Sequence, residues 1–484
     1  MVSRARLTAP PPEPRQVWPW HSVTSASISV RQLTLGDRRM EAETYLSRGH
    51  SLREAIKSPS KGWKHFGDVA DVTQPNRLKS ILVAPGHGTP FLAATQVFDV
   101  RPVPRKFLAL GKVEGAEGRF VKDGTILVTR SGSVGRAILA YAPHRGAVIS
   151  DDLLRVHPKD PGHHGWLYAF LQAPQVRDMM TGAHYGHIIK HLETSHLAAL
   201  PIPTVSKATA ESFLSRTTRI LSLRNEAYTL AAKADARFAS AIGPIESDAT
   251  ENGFTVHAAN IAKGRRRLEA SFYVPEAEAI VRRFEKVGKV DRLESVTQRI
   301  WWMPRFKRFY GPKGMPYLSA DALFTLNGWE GKRILVSPSD NHRDYFVQSG
   351  WIVMACSGQV YGLNGEATLT TPLHENVFFS HDIIRIVPRT GKVRAGYLLV
   401  TLTHRTLGRP VLIRAAYGTS IPHLDPGDVA DFPVVRLGSA IESEIADLAE
   451  AAADKRSEAD ALEREIARDA GGIIDSYIRG MPVG

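Results

Sequence analysis

The 484-residue chain has one cysteine, Cys356, so it forms no internal disulfide framework and no cysteine-based zinc site. That sparing use of thiols fits a reducing compartment, and a cytoplasmic location is the expectation. No stretch of about 18 consecutive apolar residues occurs, which excludes a membrane-spanning helix. The opening residues, with Arg4, Arg6, Pro10 to Pro12 and Pro14, lack the apolar core of a signal peptide, and residues 1–28 read as an unstructured basic leader. Neither a Gly-x-x-x-x-Gly-Lys-[Ser/Thr] phosphate loop nor a Gly-x-Gly-x-x-Gly cofactor turn is present. An Asn-Pro-Pro-[Tyr/Phe] stretch is missing as well, so catalysis and cofactor chemistry are not expected of this chain.

The composition is that of a folded protein, 43% apolar and 23% charged, and its length exceeds one ordinary core, which points to two domains. Lys and Arg number 62 against 49 Asp and Glu. The resulting net charge of +13 favours a polyanionic partner.

The most informative feature is an internal repeat. Arg39-Met40-Glu41-Ala42 with Tyr45 returns as Arg267-Leu268-Glu269-Ala270 with Tyr273. Phe120 to Gly124, an apolar run and Ser131-Gly132-Ser133-Val134 return as Phe346 to Gly350, an apolar run and Ser357-Gly358-Gln359-Val360. Ser150 to Arg155 matches Ser380 to Arg385, Gly165-Trp166-Leu167 matches Gly396-Tyr397-Leu398, and Tyr185-Gly186 with His191-Leu192 matches Tyr417-Gly418 with His423-Leu424. Pro201 pairs with Pro433. Six landmarks in one order make duplication the economical reading.

Each copy carries short β-rich runs such as Ile126–Val128, Ala137–Tyr141 and Leu153–Val156 between Gly, Pro and Asp turn signals. Helical patterns open at Trp166 and over His191 to Leu200, giving an α+β module with a mostly antiparallel, curved sheet. After each module the chain runs helical. Phe213, Ile220, Leu223, Leu230 and Phe238 form one stripe, and Ile441, Ile445, Leu448, Leu462, Ile466 and Ile473 another. The expected organisation is leader 1–28, module 29–204, helix 205–242, module 243–436 and helix with tail 437–484. The two helices are expected to pair as an antiparallel coiled coil, with the modules at opposite ends of a rod.

Module, long helix, module, long helix, together with the Gly-x-Ile-(five residues)-Gly segment from Gly124 to Gly132, the Tyr-Gly, His-Leu and Pro endings and the Arg-Leu-Glu-Ala-x-x-Tyr opening, resembles the specificity subunit of type I restriction-modification systems. The similarity runs over roughly residues 31 to 478, and the Pro/Arg-rich leader stands outside it. It implies that each module is a target-recognition domain for one part of a bipartite double-stranded DNA site. It also implies paired helices that set the spacing and dock two DNA methyltransferase subunits, which bring S-adenosylmethionine. A restriction and translocase subunit using Mg and ATP would join them. A specificity subunit of another methyltransferase-based defence system, a stand-alone DNA-acting enzyme and a coiled-coil scaffold are the alternatives.

A target reader needs cations for phosphates and side chains for base edges. In the first module the Gly-rich turn offers Arg130, Ser131, Ser133 and Arg136, matched in the second by Ser357 and Gln359. Because Gln359 replaces Ser133, and because the spacing is not Gly-x-Ser-x-Gly, a serine nucleophile is not expected here. Tyr185, His187 and Lys190 form a second candidate segment, matched by Arg414, Tyr417, Thr419 and His423. Trp301, Trp302, Arg305, Lys307 and Arg308 interleave aromatics with cations, and their first-module counterpart near Arg77 and Lys79 differs sharply. The histidines at 163, 164, 184, 187, 191 and 196 lack a metal-ligand spacing, so no metal is expected. Asp152 with Arg155, and Asp382 with Arg385, read as structural pairs.

Overall fold

The computed structural model describes residues 28, 30, 42–58, 62–77, 81–110, 117–183, 191–246, 253–262, 266–328, 331–336 and 343–481. Within them the two copies fold alike, with one difference among their strands. In the first head, β1 (Trp63–His65), β2 (Ala70–Thr73), β3 (Leu82–Val83), β4 (Thr89–Leu92), β5 (Lys106–Leu108), β6 (Ile126–Thr129), β7 (Ala137–Leu139), β8 (Val148–Ile149), β9 (Leu153–Pro158) and β10 (Pro201–Pro203) make three small sheets. Their orders are β1-β10, β2-β9-β6-β7 and β3-β5-β4-β8. The second head contributes β11 (Lys289–Arg292), β12 (Thr297–Trp301), β13 (Tyr310–Leu318), β14 (Arg333–Ile334), β15 (Ile352–Ala355), β16 (Ala367–Leu369), β17 (Phe378–Phe379), β18 (Ile383–Pro388) and β19 (Pro433–Arg436). Their orders are β11-β19, β12-β18-β15-β16 and β14-β13-β17. Pairing is antiparallel except for β4 with β8 and β13 with β17, which are parallel in both heads. The one topological difference is that β13 does the work of β3 and β4 together.

Equivalence extends to side chains. Buried His144 and His374 each accept a backbone N–H at Nδ1, from Tyr141 at 3.1 Å and from Thr371 at 3.0 Å. Burial pushes both imidazoles down to about 4. Trp166 Nε1 donates to Pro203 O at 3.2 Å, and the Tyr397 hydroxyl donates to Val435 O at 2.5 Å. The expected pairs of Asp152 with Arg155 and Asp382 with Arg385 are corrected. Arg155 and Arg385 are buried and donate to carbonyls instead, among them Ile149 O at 3.0 Å and Ile383 O at 2.8 Å. The aspartates sit in the turns before β9 and β18 and reach Arg130 at 4.0 Å and Arg308 at 3.1 Å. The helix expected over His191 to Leu200 is also shorter, Thr194–Ala198. Leu192 N–H is taken by Arg130 O, and Pro201 starts β10, disfavouring helical backbone at the residue before it.

Four helices organise the rest: α1 (His164–Gln172), α2 (Lys207–Ile242), α3 (Ala395–Thr403) and α4 (Ser439–Ile478). Helix α2 has no interior Gly or Pro; the Ser206 side chain caps its start by accepting Thr209 N–H, and Gly243 at φ +75° ends it. At 36 and 40 residues, α2 and α4 are about 54 and 60 Å long at 1.5 Å per residue. Ion pairs fix their direction. Arg216 meets Asp469, Arg224 meets Asp460 and Glu463, Lys455 meets Glu226, and Arg237 meets Glu444, so one helix descends as the other climbs. The first head's core takes in Phe213, Ile220 and Leu223 of α2 with Ile466 and Ile474 of α4. The second head's core takes Phe238 and Ile242 with Ile445 and Ala449. Each head therefore grips an opposite end of one antiparallel pair.

The short helices α1 and α3 dock on that pair through glycine. A methyl group on Gly165 would stand 2.2 Å from Leu214 N of α2, and one on Gly396 would stand 2.6 Å from Ala446 O of α4. The expectation of heads held apart at the ends of a rod is corrected at one place. Residues 98–100 of the first head and 324–326 of the second meet as a two-residue antiparallel bridge at the middle of the molecule.

Two outcomes follow from this packing. Gly165→Ala and Gly396→Ala each force backbone apart, and each is expected to destabilise the chain by about 2 kcal/mol or more in urea denaturation. The neutral histidines set a pH dependence. Below about 6.5 the unfolded chain takes up protons that folded His144 and His374 refuse, so their contribution is full above that pH and is lost as pH falls toward 4. The stability advantage of the native chain over His144→Gln and His374→Gln should shrink across that window.

Candidate nucleic-acid interface

In the second head the segment leaving β12 is sorted by packing. Trp301 stands edge-on to Trp351 with centroids 5.4 Å apart, and the Arg299 guanidinium lies 4.1 Å over its face. Phe306 turns inward against Tyr345, Phe378 and His381. Trp302, Arg305, Lys307 and Arg308 are left outside and exposed. Arg308 is tethered to Asp382 and Ser380 Oγ, at 3.1 and 3.4 Å. Arg305 and Lys307 form no ion pair among the described residues, which leaves them as solvated cations at the head's surface.

Next along the chain are two side chains that the sequence reading passed over. Phe309 and Tyr310 are 63% and 53% exposed, beside Leu335, also exposed. The equivalent edge of the first head shows Ile81 and Leu82, 56% and 58% exposed, just after the Arg77 segment. Arg77 is exposed, whereas Lys79 lies outside the described residues. A short apolar run with no clear period does not reveal which face it shows, so sequence carried no signal for this exposure.

The Gly-rich turn and the tail of each module come together. In the second head Ser357 Oγ lies 2.8 Å from His423 Nδ1 and 3.5 Å from Asp382 Oδ1. The Gln359 amide donates to Ser420 O at 2.9 Å, and Tyr417 and His423 exchange backbone hydrogen bonds at 2.9 and 2.8 Å. Tyr417, Thr419 and Gln359 are exposed on this loop. Arg414 is drawn inward, paired with Glu278 and 5.3 Å over the Phe272 ring. In the first head Leu192 N–H donates to Arg130 O just as Leu424 N–H donates to Cys356 O, both at 2.8 Å. Arg130 is half-buried against Glu193 and His191, at 2.5 and 3.3 Å, with Ser131 beside it and Ser133 exposed. Tyr185, His187 and Lys190 lie outside the described residues.

Arg136 parts company with its neighbours in sequence. Its guanidinium donates to Leu326 O of the other head at 2.8 Å and lies 4.4 Å over Phe98. It is thereby committed to the contact between the heads.

The Ser357, His423 and Asp382 group has the residue types of a nucleophilic triad but another arrangement. The carboxylate touches the serine and His381, whereas a triad needs it on the imidazole of the general base. Burial pushes the neighbouring Cys356 thiol up to about 11, away from thiolate chemistry. What the surface does offer is exposed cations, exposed aromatic faces and hydroxyl and amide groups on loops. Those are the parts for holding phosphates and touching bases.

No family model matches the chain, and no curated protein sequence is significantly similar to it. Among solved structures, the S subunit of a type I restriction-modification system from M. genitalium aligns at 14% identity over 87% of this chain and 96% of that one, with a TM-score of 0.34. The HsdS subunit from Thermoanaerobacter tengcongensis aligns at 12% identity over 86% of this chain and 96% of its own, with a TM-score of 0.24. The type IIG restriction endonuclease BpuSI aligns over 35% of this chain and 28% of its own, at 12% identity and a TM-score of 0.26. Over most of its length the chain is similar to the S subunits of type I restriction-modification systems.

Proposed function

We propose that the chain is the DNA-reading specificity subunit of a type I restriction-modification system, each head reading one part of a gapped duplex site. The observation that carries this reading is the pair of equivalent heads on one antiparallel helix pair. Two copies of a fold related by a pseudo-twofold axis suit a ligand that has its own twofold backbone geometry, and B-form DNA has it. Equivalent edges with different side chains, Arg77 with Ile81 and Leu82 against Trp302, Arg305, Lys307, Phe309 and Tyr310, give the two halves different sequences to read. The net charge of +13 supplies the long-range attraction to phosphate.

Under this reading methylation and cleavage belong to partners. DNA methyltransferase subunits holding S-adenosylmethionine, and a restriction and translocase subunit using Mg and ATP, assemble on the long helices. The chain itself positions them.

The reading is tested by methylome sequencing of cells with and without the gene, followed by exchange of residues 31–204 for another first head. One half-site is expected to change while the other half-site stays; a change in both overturns the reading. Arg305→Ala with Lys307→Ala should weaken duplex binding and lower the slope of log affinity against log salt by about 2, since each phosphate contact contributes about 0.9. An unchanged slope in a filter-binding titration would remove these two cations from the interface.

A further inference from the structure

The contact between the heads lies on their symmetry axis. Asp99 bridges Thr325 in antiparallel fashion, with Val100 N–H donating to Phe324 O at 3.0 Å and Leu326 N–H to Phe98 O at 2.7 Å. The offset 325 − 99 = 226 equals the offset 124 to 350 between Gly124 and Gly350, so each residue of the bridge faces its own counterpart. Arg224 and Arg456, themselves equivalent at 456 − 224 = 232, the Pro201 to Pro433 offset, stand on the long helices beneath it.

Side chains reinforce the bridge. Leu326 of the second head is buried in a cluster of the first with Leu92, Val97, Phe98 and Ile138. Arg136 donates to Leu326 O, and the Asn327 amide donates to Ala137 O at 3.1 Å. Asn327 also lies 3.5 Å from the Tyr168 hydroxyl, which donates to Glu463 at 2.5 Å, and Glu463 pairs with Arg224. The junction is thus tied through α1 to both long helices.

We infer that this dyad junction is a specificity element: it fixes the distance and rotation between the heads, and so admits one spacer length between half-sites. This rests on the DNA-reading function proposed above. Adding one base pair to a spacer moves one half-site by about 3.4 Å and turns it by about 35° around the duplex axis. Bending a helix pair about 54 Å long could absorb part of that, but hydrogen bonds that weaken steeply beyond about 3.2 Å could not. The helices set the scale of the gap, and the junction removes its tolerance.

The test uses the full chain and a library of duplexes with randomised sequence. The native protein should enrich two half-sites at one spacing. With Arg136→Ala, Leu326→Ala and Asn327→Gly combined, the same half-sites should be enriched at two or more spacings; a single spacing retained by this variant overturns the inference. A second variant does not depend on tolerating lost packing. Asp99 and Thr325 form a non-hydrogen-bonded antiparallel pair, whose Cα atoms lie about 4.5 Å apart, within disulfide reach. Asp99→Cys with Thr325→Cys, oxidised, should keep both the spacing and the affinity, because the lock preserves the binding arrangement. A loss of about tenfold on oxidation, reversed by reductant, would show that the junction must open and overturns the inference. Enrichment of no gapped motif by the native chain would instead overturn the DNA-reading function, and this inference with it.

Discussion

The close crossing of α1 and α3 on the long helices is the constraint from which the remaining geometry follows. Only a residue without a side chain lets these axes approach so nearly, and each head supplies one, Gly165 or Gly396. Ridges and grooves could place a head on a helix at several angles; contact between backbones selects one. With both heads seated in that way on an antiparallel pair, the twofold relation between them is imposed rather than incidental. The bridge at Asp99 and Thr325 is then a contact between like elements that the axis brings face to face.

Charge plays two parts in the molecule. At the centre of the helix pair it is buried and paired: Arg224 sits between Asp460 and Glu463, and Tyr168 donates to Glu463. Removing one member of such a group leaves a charge without its partner, whereas keeping all of them fixes the register of one helix on the other. At the head surfaces charge is solvated, as at Arg305 and Lys307; under the proposed DNA-reading function, such flexible cations suit a ligand whose phosphates must be followed rather than locked. The same residue type is thus an internal pin at Arg224 and a solvated surface charge at Arg305.

Much of the architecture was legible because duplication writes itself into sequence. The landmarks at Gly124, Arg155, Gly165 and Pro201 recur because each marks a backbone demand or a buried group, and those demands are the same in both heads. The helical stripes were legible for a similar reason: a 3.6-residue period survives in the sequence whatever the helix packs against. The contact between the heads was not, because its residues lie in short turns after α-helical stubs and carry no period. Arg136 illustrates the difficulty. Its position beside a glycine turn suggested a phosphate ligand, while its actual partners, Phe98 and Leu326, are far away in sequence. Phe309 and Tyr310 were missed because apolar residues default to the core, and only the fold shows them outside.

The junction is symmetric in its backbone but not in its side chains, so the two heads are not interchangeable at the seam. Where the first head has Arg136, the second has Glu366 at the matching place before β16; where the second has Asn327, the first has Arg101. A chain assembled from two first heads would bring a second arginine toward Arg136, in the place that Asn327 takes here. Replacing one head by a copy of the other is therefore not free: the newcomer must match the charge and shape of the resident at the seam.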